Sequence, residues 1–486
     1  MGLSSRCAKR PAGVGDPRSR TTGVSVAHLV ARARVAQEHY ADADQATADM
    51  AVLAAGWAIL APEHNKALAE QAVRDTGLGQ VEDKITKNYR KTLGLLRDLQ
   101  GARSVGVLSD DAATGIIEIA RPIGVVAAIT PSTNPAATPA NNIINALKGR
   151  NAIILAPSPK GAGVCARLLG YVHKELTKVG LPKDLVQMLP APVTKPATED
   201  LMRLADLVVA TGSRANVRAA YASGTPALGV GVGNVAVIVV PGADPAAAAK
   251  RIAASKSFDN ATSCSSENSL LVVGDAWDPL LDALAAEGGV LAAPEEQARL
   301  EATMFPAGKL SSVVVARSAP QLARLAGLRR AAYADSRFIM VCEAPGNVGP
   351  GHPFSGEKLC PVLTLYHVED FDAALAQVRL LYDYQGKGHS VGVHGANTGE
   401  ILRLGLELPV CRVIVDQPHC IAAGGAFDNG LPFSLSMGCG SWGGNGFSEN
   451  LDYRHFLNIT RIVRPIPPRE PRCEDIFHDY WLRHGQ

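Results

Sequence analysis

The chain has 486 residues, enough for two to four domains of ordinary size, which excludes a small module stapled by disulfides. Lys and Arg number 48 against 46 Asp and Glu, a formal net charge of +2 with only 19% of residues charged, so the balance carries no basic footprint for nucleic acid. Hydrophobic residues make up 47% and aromatic ones only 5%, the Ala-, Val-, Leu- and Ile-rich composition of parallel strands covered by helices.

Residues 1–22 carry Arg6, Lys9, Arg10, Arg18 and Arg20 among Gly, Pro and Ser, lack the apolar core of a signal peptide and read as a disordered tail. Residues 23–100 show a helical pattern. Gly115–Ala120 and Ile123–Thr130 read as strands, Ala140–Lys148 as a helix and Asn151–Ala156 as a fully apolar strand. A helix from about Gly161 stops at Gly180, a strand follows at Asp184–Leu189, and another helix leads to a strand at Asp206–Ala210 that ends on Thr211-Gly212-Ser213. This alternation is a nucleotide-binding βαβαβ layout. The Ala-rich helix from Asp244 to about Ser257 precedes a second set of strands and helices that runs to about Pro418. A Gly-rich segment (424–446) then leads to a strand at Ile459–Val463.

Two uncharged stretches, Pro122–Leu147 and Ala219–Ala243, have the length of membrane spans, but Pro131, Pro135 and Pro139 interrupt the first and Gly224, Pro226, Gly229, Gly231, Gly233 and Pro241 the second. No membrane partner is expected. The nine cysteines are scattered, with no CxxC, and His352, His367, His389 and His394 show no paired ligand spacing on one element. The pattern fits a reducing cytoplasm and no metal. His389, in the turn Gly386-Lys-Gly-His389, reads equally well as a cap or a catalytic group, and Cys439 and Trp442 as packing residues.

One cysteine has a suggestive context. In Phe258-Asp-Asn-Ala-Thr-Ser-Cys264-Ser-Ser-Glu-Asn268 the thiol lies just past a helix among small hydroxyl residues that leave it sterically accessible. Four further segments accompany it in order along the chain: Ile129-Thr-Pro-Ser-Thr-Asn134-Pro135, the Thr211-Gly-Ser turn, Glu357-Lys-Leu-Cys-Pro361 and Gly438-Cys-Gly-Ser-Trp-Gly-Gly-Asn445. Together they resemble the aldehyde dehydrogenase superfamily, in particular its CoA-acylating branch, and the wording of the Cys264 peptide is most similar to acylating sulfoacetaldehyde dehydrogenases.

The resemblance implies an α/β fold. Residues 23–255, with a returning segment at about 419–450, would form a nucleotide-binding parallel-sheet domain and residues 256–418 an α/β catalytic domain. Strands at 106–120 and 455–466 would form a small oligomerisation sheet in a homodimer or homotetramer. Cys264 becomes the nucleophile and Asn134 the oxyanion-hole amide, with the Cys264 N–H as second donor. NAD or NADP would meet Thr130, Pro131, Ser132, Pro157, Ser158, Lys160, Thr211, Gly212, Ser213, Gly231, Gly233 and Glu357. Two departures bear on this set: Lys160 is displaced from the usual Lys-Pro-Ser, and Val217 replaces a common glycine. Ser265, Ser266, Asn268, Arg214 and Arg337 are the candidates to receive an anionic substrate head.

The discriminating residue is one that is missing. Hydrolytic members carry a glutamate in Glu-Leu-Gly-Gly-Lys-Ser-Pro that activates water. Here Val230-Gly-Val-Gly-Asn-Val-Ala236 occupies the stretch, with Val230 in the place of the base. A thiolate, by contrast, attacks a thioester readily, so coenzyme A is the expected acceptor and the reaction is reversible. Two alternatives stay open: a hydrolytic enzyme whose base is Glu267, and a non-catalytic assembly subunit of the same fold.

Overall fold

The computed structural model describes residues 25–486, so the tail expected at residues 1–22 lies outside the described part. Four helices come first: Val26–Ala41, Gln45–Leu60, Pro62–Thr76 and Val81–Leu99. Local chemistry sets their ends. The Ser25 and Asp44 side chains accept from the backbone N–H groups of His28 and Thr47, and Gly77 closes the third helix in the left-handed conformation.

Strands β1 (Gly106–Asp111) and β2 (Ile116–Pro122) form an antiparallel pair. Next come β3 (Val125–Thr130), β4 (Ala152–Pro157), β5 (Val186–Met188), β6 (Leu207–Ala210) and β7 (Ala227–Gly229), which make a parallel sheet in the order β5-β4-β3-β6-β7. The chain steps outward from β3 to β5, then returns to add β6 and β7 on the other side. Right-handed crossovers therefore place helices Ala137–Lys148 and Ala162–Lys178 on one face and Lys195–Leu204 on the opposite face. Every residue of β3 and β4 is buried, as expected of strands covered on both faces. The strand order reverses between β3 and β6, and a crevice opens there at the carboxyl ends, beside Thr130 and Ala210.

The second parallel sheet holds β8 (Val235–Val239), β9 (Glu267–Val273), β10 (Gly289–Leu291), β11 (Phe338–Cys342), β12 (Val362–Val368), β13 (Val391–His394) and β14 (Val413–Val415), in the order β10-β11-β12-β9-β8-β13-β14. The chain thus changes sheets between Gly229 and Val235. The boundary read near residue 255 falls after that change, because β8 and helix Pro245–Ser257 pack with the second sheet, where Ala248, Ala249 and Ile252 join a buried cluster with Val237 and Leu270. Ala-rich amphipathic helices look alike on either sheet, so composition did not mark the switch.

Strand β15 (Leu457–Val463) pairs with β2, so β1, β2 and β15 form a three-stranded antiparallel sheet outside both parallel ones. The buried Asn151 amide fastens it to the first sheet. Its Oδ1 accepts from the N–H groups of Ile123 and Gly124 at 2.7 and 2.9 Å, while Nδ2 donates to the carbonyls of Phe456 at 2.8 Å and Ala146 at 3.3 Å. Asn151→Ala strips these buried groups of their partners and is expected to cost about 2–3 kcal/mol. Differential scanning calorimetry reads this as a lowered Tm, and an unchanged Tm would show that the amide joins nothing of consequence.

Candidate active site

A cavity of about 430 Å³ lies between the two parallel sheets, and Cys264 is on its wall. The cysteine comes just before β9, at the end of a loop with unusual backbone: Asp259, Asn260 and Ala261 all have left-handed φ, at 50°, 52° and 56°. Such residues cost roughly 1–3 kcal/mol each and persist only where neighbours over-determine them. Here helix Val81–Leu99 and the residue before it do so. The Gln80 N–H donates to Asp259 Oδ1 at 2.9 Å, Gln80 Nε2 donates to Asn260 Oδ1 at 2.7 Å, and the Asp259 N–H donates to Asp83 Oδ2 at 2.7 Å. Asn260 Nδ2 reaches the Ala316 carbonyl at 3.0 Å.

The buried Asp259 carboxylate is clamped by two ammonium groups, Lys87 Nζ at 2.5 Å and Lys84 Nζ at 3.1 Å, and takes the Thr262 hydroxyl as well. Burial acts to raise this carboxyl, but Lys87 and Lys84 outweigh it and hold it below its ordinary value. Lys87 Nζ also donates to Asn134 Oδ1 at 3.0 Å, and Lys84 Nζ to the Thr133 carbonyl at 3.0 Å. An ammonium only donates, so it fixes which end of the Asn134 amide faces it. The Nδ2 hydrogens are left free on the cavity wall opposite.

Burial, with the Glu357 and Cys439 charges behind it, pushes the Cys264 thiol up to about 12. Glu357 shares the cavity, is raised to about 8 by burial, and makes no hydrogen bond or ion pair through its carboxylate among the described residues. Among the described residues it is also the one carboxylate on the wall. Val230 lies on the same wall and is buried, so the place expected for a water-activating base is apolar. Glu267 does not substitute for it: its Oε2 accepts from the Ser255 hydroxyl at 2.6 Å in a buried position off the cavity.

The structure sorts the expected site residues. Asn134, Pro131, Ser132, Thr211, Gly212, Ser213, Gly231, Glu357, Arg214 and Ser265 line the cavity with Cys264. Thr130 is buried at the end of β3 and pairs with Pro157 at the end of β4, and Ser158 and Lys160 follow on the same crest; all four are off the cavity wall. Gly233 lies beneath the nucleophile loop instead, where a Cβ would stand 2.0 Å from the Cys264 carbonyl oxygen. Ser266 and Asn268 are buried behind the wall, the latter accepting the Lys358 N–H. Arg337 is elsewhere, paired with Glu287 at 3.1 Å. A second pocket lined by Tyr382, Lys387 and Trp442 adjoins the first and shares Arg214, Val230, Gly231 and Val232 with it.

Sequence reasoning missed Lys84, Lys87, Lys91 and Asp259. The available signal was the lysine spacing of three and four residues, which places all three on one helical face. Such a stripe ordinarily faces water; here its carboxylate partner lies more than 170 residues away.

The sequence profile described as the aldehyde dehydrogenase family matches residues 17–299. A sulfoacetaldehyde dehydrogenase (acylating) of Cupriavidus necator is 62% identical over 462 residues, covering 95% of this chain and 93% of its own. A succinate-semialdehyde dehydrogenase (acetylating) of Clostridium kluyveri is 37% identical, with 90% of this chain and 95% of the other covered. Among solved structures, an acetylating aldehyde dehydrogenase of Geobacillus thermoglucosidasius superposes with a TM-score of 0.87 at 33% identity, over 92% of this chain and 98% of that one.

Because burial keeps the Cys264 thiol protonated, its alkylation in nucleotide-free protein should accelerate about tenfold per pH unit through the range where an ordinary thiol, of pKa about 8.5, has already levelled off. Ionisation of Glu357 near 8 works in the same direction, since a second negative charge opposes the thiolate. Iodoacetamide labelling mapped by mass spectrometry measures the profile. A plateau reached below pH 9 would contradict the shielding read from the cavity.

Proposed function

The chain belongs to the aldehyde dehydrogenase family, and from that premise we propose that it is a CoA-acylating aldehyde dehydrogenase. It converts a short anionic aldehyde, sulfoacetaldehyde before others, with CoA and NAD(P)+ to the acyl-CoA and NAD(P)H, reversibly. The observation that carries the reading is Val230 on the wall beside Cys264 where a hydrolytic enzyme has its base. The name and 62% identity of the Cupriavidus necator relative support the substrate.

Cys264 Sγ, its proton given up to solvent, adds as thiolate to the carbonyl carbon, forming the S–C bond and moving the C=O π electrons onto oxygen. The oxyanion so formed meets the free Asn134 Nδ2 hydrogens and the Cys264 N–H, donors aimed before the charge develops and therefore needing no reorganisation. A bound nicotinamide supplies the acceptor for the hydride that leaves as the C=O bond re-forms, and a thioester stays on Cys264. The unpartnered Glu357 carboxylate fits the role of acceptor for vicinal ribose hydroxyls, and the β3/β6 crevice with Pro131–Ser132 and Thr211–Ser213 fits a dinucleotide.

The acceptor step turns on acidity. A thiol of pKa about 8.5 is a few per cent thiolate at neutral pH, while water, of pKa about 15.7, needs a base or a metal to become a nucleophile. With Val230 in place, Glu267 turned to Ser255 and Glu357 taken up by the ribose hydroxyls, no free base faces the thioester, so the CoA thiolate takes the acyl group and Cys264 thiolate leaves. The exchanged bonds are both thioesters, which is why the step runs either way.

We also infer a homodimer or homotetramer, supported by exposed Ile459, Ile462 and Val463 on β15 and by a helix at Cys473–His484 with no buried residue. A reducing cytoplasm is the compartment that eight free cysteines among the described residues suggest. No helix among the described residues is long and apolar enough to cross a membrane.

Mixing enzyme, aldehyde and NAD(P)+ without CoA should give a burst of NAD(P)H close to one per site and then near silence, with continuous turnover restored by CoA. Sustained turnover without CoA, with free acid accumulating, would assign the protein to the hydrolytic branch. The Lys87 contact yields a second expectation. Lys87→Met frees the Asn134 amide to rotate and should lower kcat by up to about 10²-fold, short of the 10²–10³ typical of losing an oxyanion donor outright. In a double-mutant cycle with Asn134→Ala the two losses should not add. Additive losses would mean that Lys87 acts without Asn134.

A further inference from the structure

An anionic substrate needs a cationic partner close to the reacting carbon, and the arginines considered from sequence do not supply it. Arg337 is engaged with Glu287 away from the cavity, and Arg214 is exposed on the wall shared with the second pocket. One further cation lines the cavity: Lys91. It follows Lys87 by four residues on helix Val81–Leu99, hence on the same face and about 6 Å further along the axis. Lys87 holds Asn134, and Asn134 and Lys91 line the same cavity.

The ammonium is positioned by backbone alone. Lys91 Nζ donates to the Gly424 carbonyl at 2.6 Å and to that of Gly425 at 3.3 Å, and lies 5.5 Å from the centre of the Phe433 ring. Gly424 is what allows this approach, since a Cβ there would stand 2.7 Å from Nζ. No carboxylate pairs with Lys91 among the described residues, and one N–H of its three is uncommitted. The neighbouring Ser434 hydroxyl is already used, donating to the Ser436 carbonyl and accepting the Ser436 N–H. Burial, reinforced by Arg90, lowers this ammonium to about 7. A cation so poorly compensated gains most from an arriving anion.

We propose that Lys91 is a specificity-determining residue that receives the terminal anion of the substrate aldehyde, a sulfonate attached one carbon from the carbonyl. The proposal rests on the acylating reading above and names the group that selects its substrate. With the carbonyl oxygen on Asn134 Nδ2, the sulfonate of a two-carbon aldehyde is received by Lys91 on the same cavity wall, and its oxygens take up the ammonium's remaining hydrogen. An uncharged aldehyde leaves the ammonium with its two glycine carbonyls.

Two measurements test this. The first compares kcat/KM for sulfoacetaldehyde and propanal, with CoA and nucleotide, in the wild type, Lys91→Met and Lys91→Arg. The second follows protection of Cys264 from iodoacetamide by ethanesulfonate, a probe that undergoes no reaction. The wild type should prefer sulfoacetaldehyde. Lys91→Met should reduce the sulfoacetaldehyde-to-propanal ratio about 10²-fold, the scale of one lost hydrogen bond to a charged group. It should also abolish protection by ethanesulfonate, and Lys91→Arg should keep most of both. Should the methionine variant not fold, Lys91→Gln, which removes the charge and keeps a polar side chain, reads the same ratio. A preference and a protection that survive Lys91→Met, or equal losses on both aldehydes, overturn the role given to Lys91 while the anionic substrate stands. A wild type that acylates CoA from propanal as readily as from sulfoacetaldehyde overturns the anionic substrate itself.

Discussion

The active site hangs on one buried carboxylate. Asp259 holds Lys84 and Lys87 on one side and, through its own backbone, starts the left-handed turn that delivers Cys264 on the other. Removing one partner of a buried ionic cluster typically costs 3–5 kcal/mol, roughly enough to offset the strain of two or three left-handed residues. The cluster therefore does more than stabilise. It couples the helical N-terminal segment, the Asn134 turn of the first sheet and the Cys264 loop of the second, so the proposed nucleophile and oxyanion donor share a single anchor. A shift of Asp259 displaces both at once. Their mutual geometry is better protected than the position of either.

From that anchor the cavity's electrostatics follow. With the lysines committed to Asp259, to Asn134 or to glycine carbonyls, the space around Cys264 is poor in ionised groups, and Glu357 is raised in pKa by burial. Burial keeps the resting thiol neutral and strengthens each donor aimed at a developing oxyanion. Val230 offers water no base at that position. Selectivity for a thiol acceptor thus needs no special recognition of CoA at the reacting atom; it arises because only an acceptor that ionises by itself attacks the thioester at a useful rate.

Much of the fold was legible because parallel strands buried on both faces are continuous apolar runs, as Val125–Thr130 and Ala152–Pro157 show, and because Gly and Pro mark their ends. The Cys264 and Asn134 peptides were legible as local motifs. The change of sheet after Gly229 was not, since β7 and β8 are short apolar strands separated by a few small residues and pattern carries no information about which sheet a strand joins. Nor was the lysine face. Lys84, Lys87 and Lys91 acquire their roles from Asp259, Thr133, Asn134 and Gly424, whose sequence separations run from 47 to 333 residues, and helix periodicity reports a face without reporting what covers it. Ser266, Asn268 and Arg337 show the converse, polar residues near the motif in sequence or chemically apt but turned away by the fold.

The stretch Val230-Gly-Val-Gly-Asn ties these points together. Gly233 is required by the nucleophile: its missing side chain makes room for the Cys264 carbonyl, 2.0 Å from where a Cβ would be. Gly79 serves the other side of the same loop, where a Cβ would meet Asp259 Oδ1 at 1.9 Å. Both glycines answer to the loop's close packing, so a glycine three residues after Val230 is demanded whichever residue stands at 230. Val230 has no such obligation. Its side chain faces the cavity and the apolar cluster of the first sheet, and an apolar residue there completes that cluster without leaving a buried charge unpaired. One segment therefore separates two properties: the glycine preserves the placement of Cys264, and in the proposed mechanism the residue three positions earlier sets which acceptor the thioester meets.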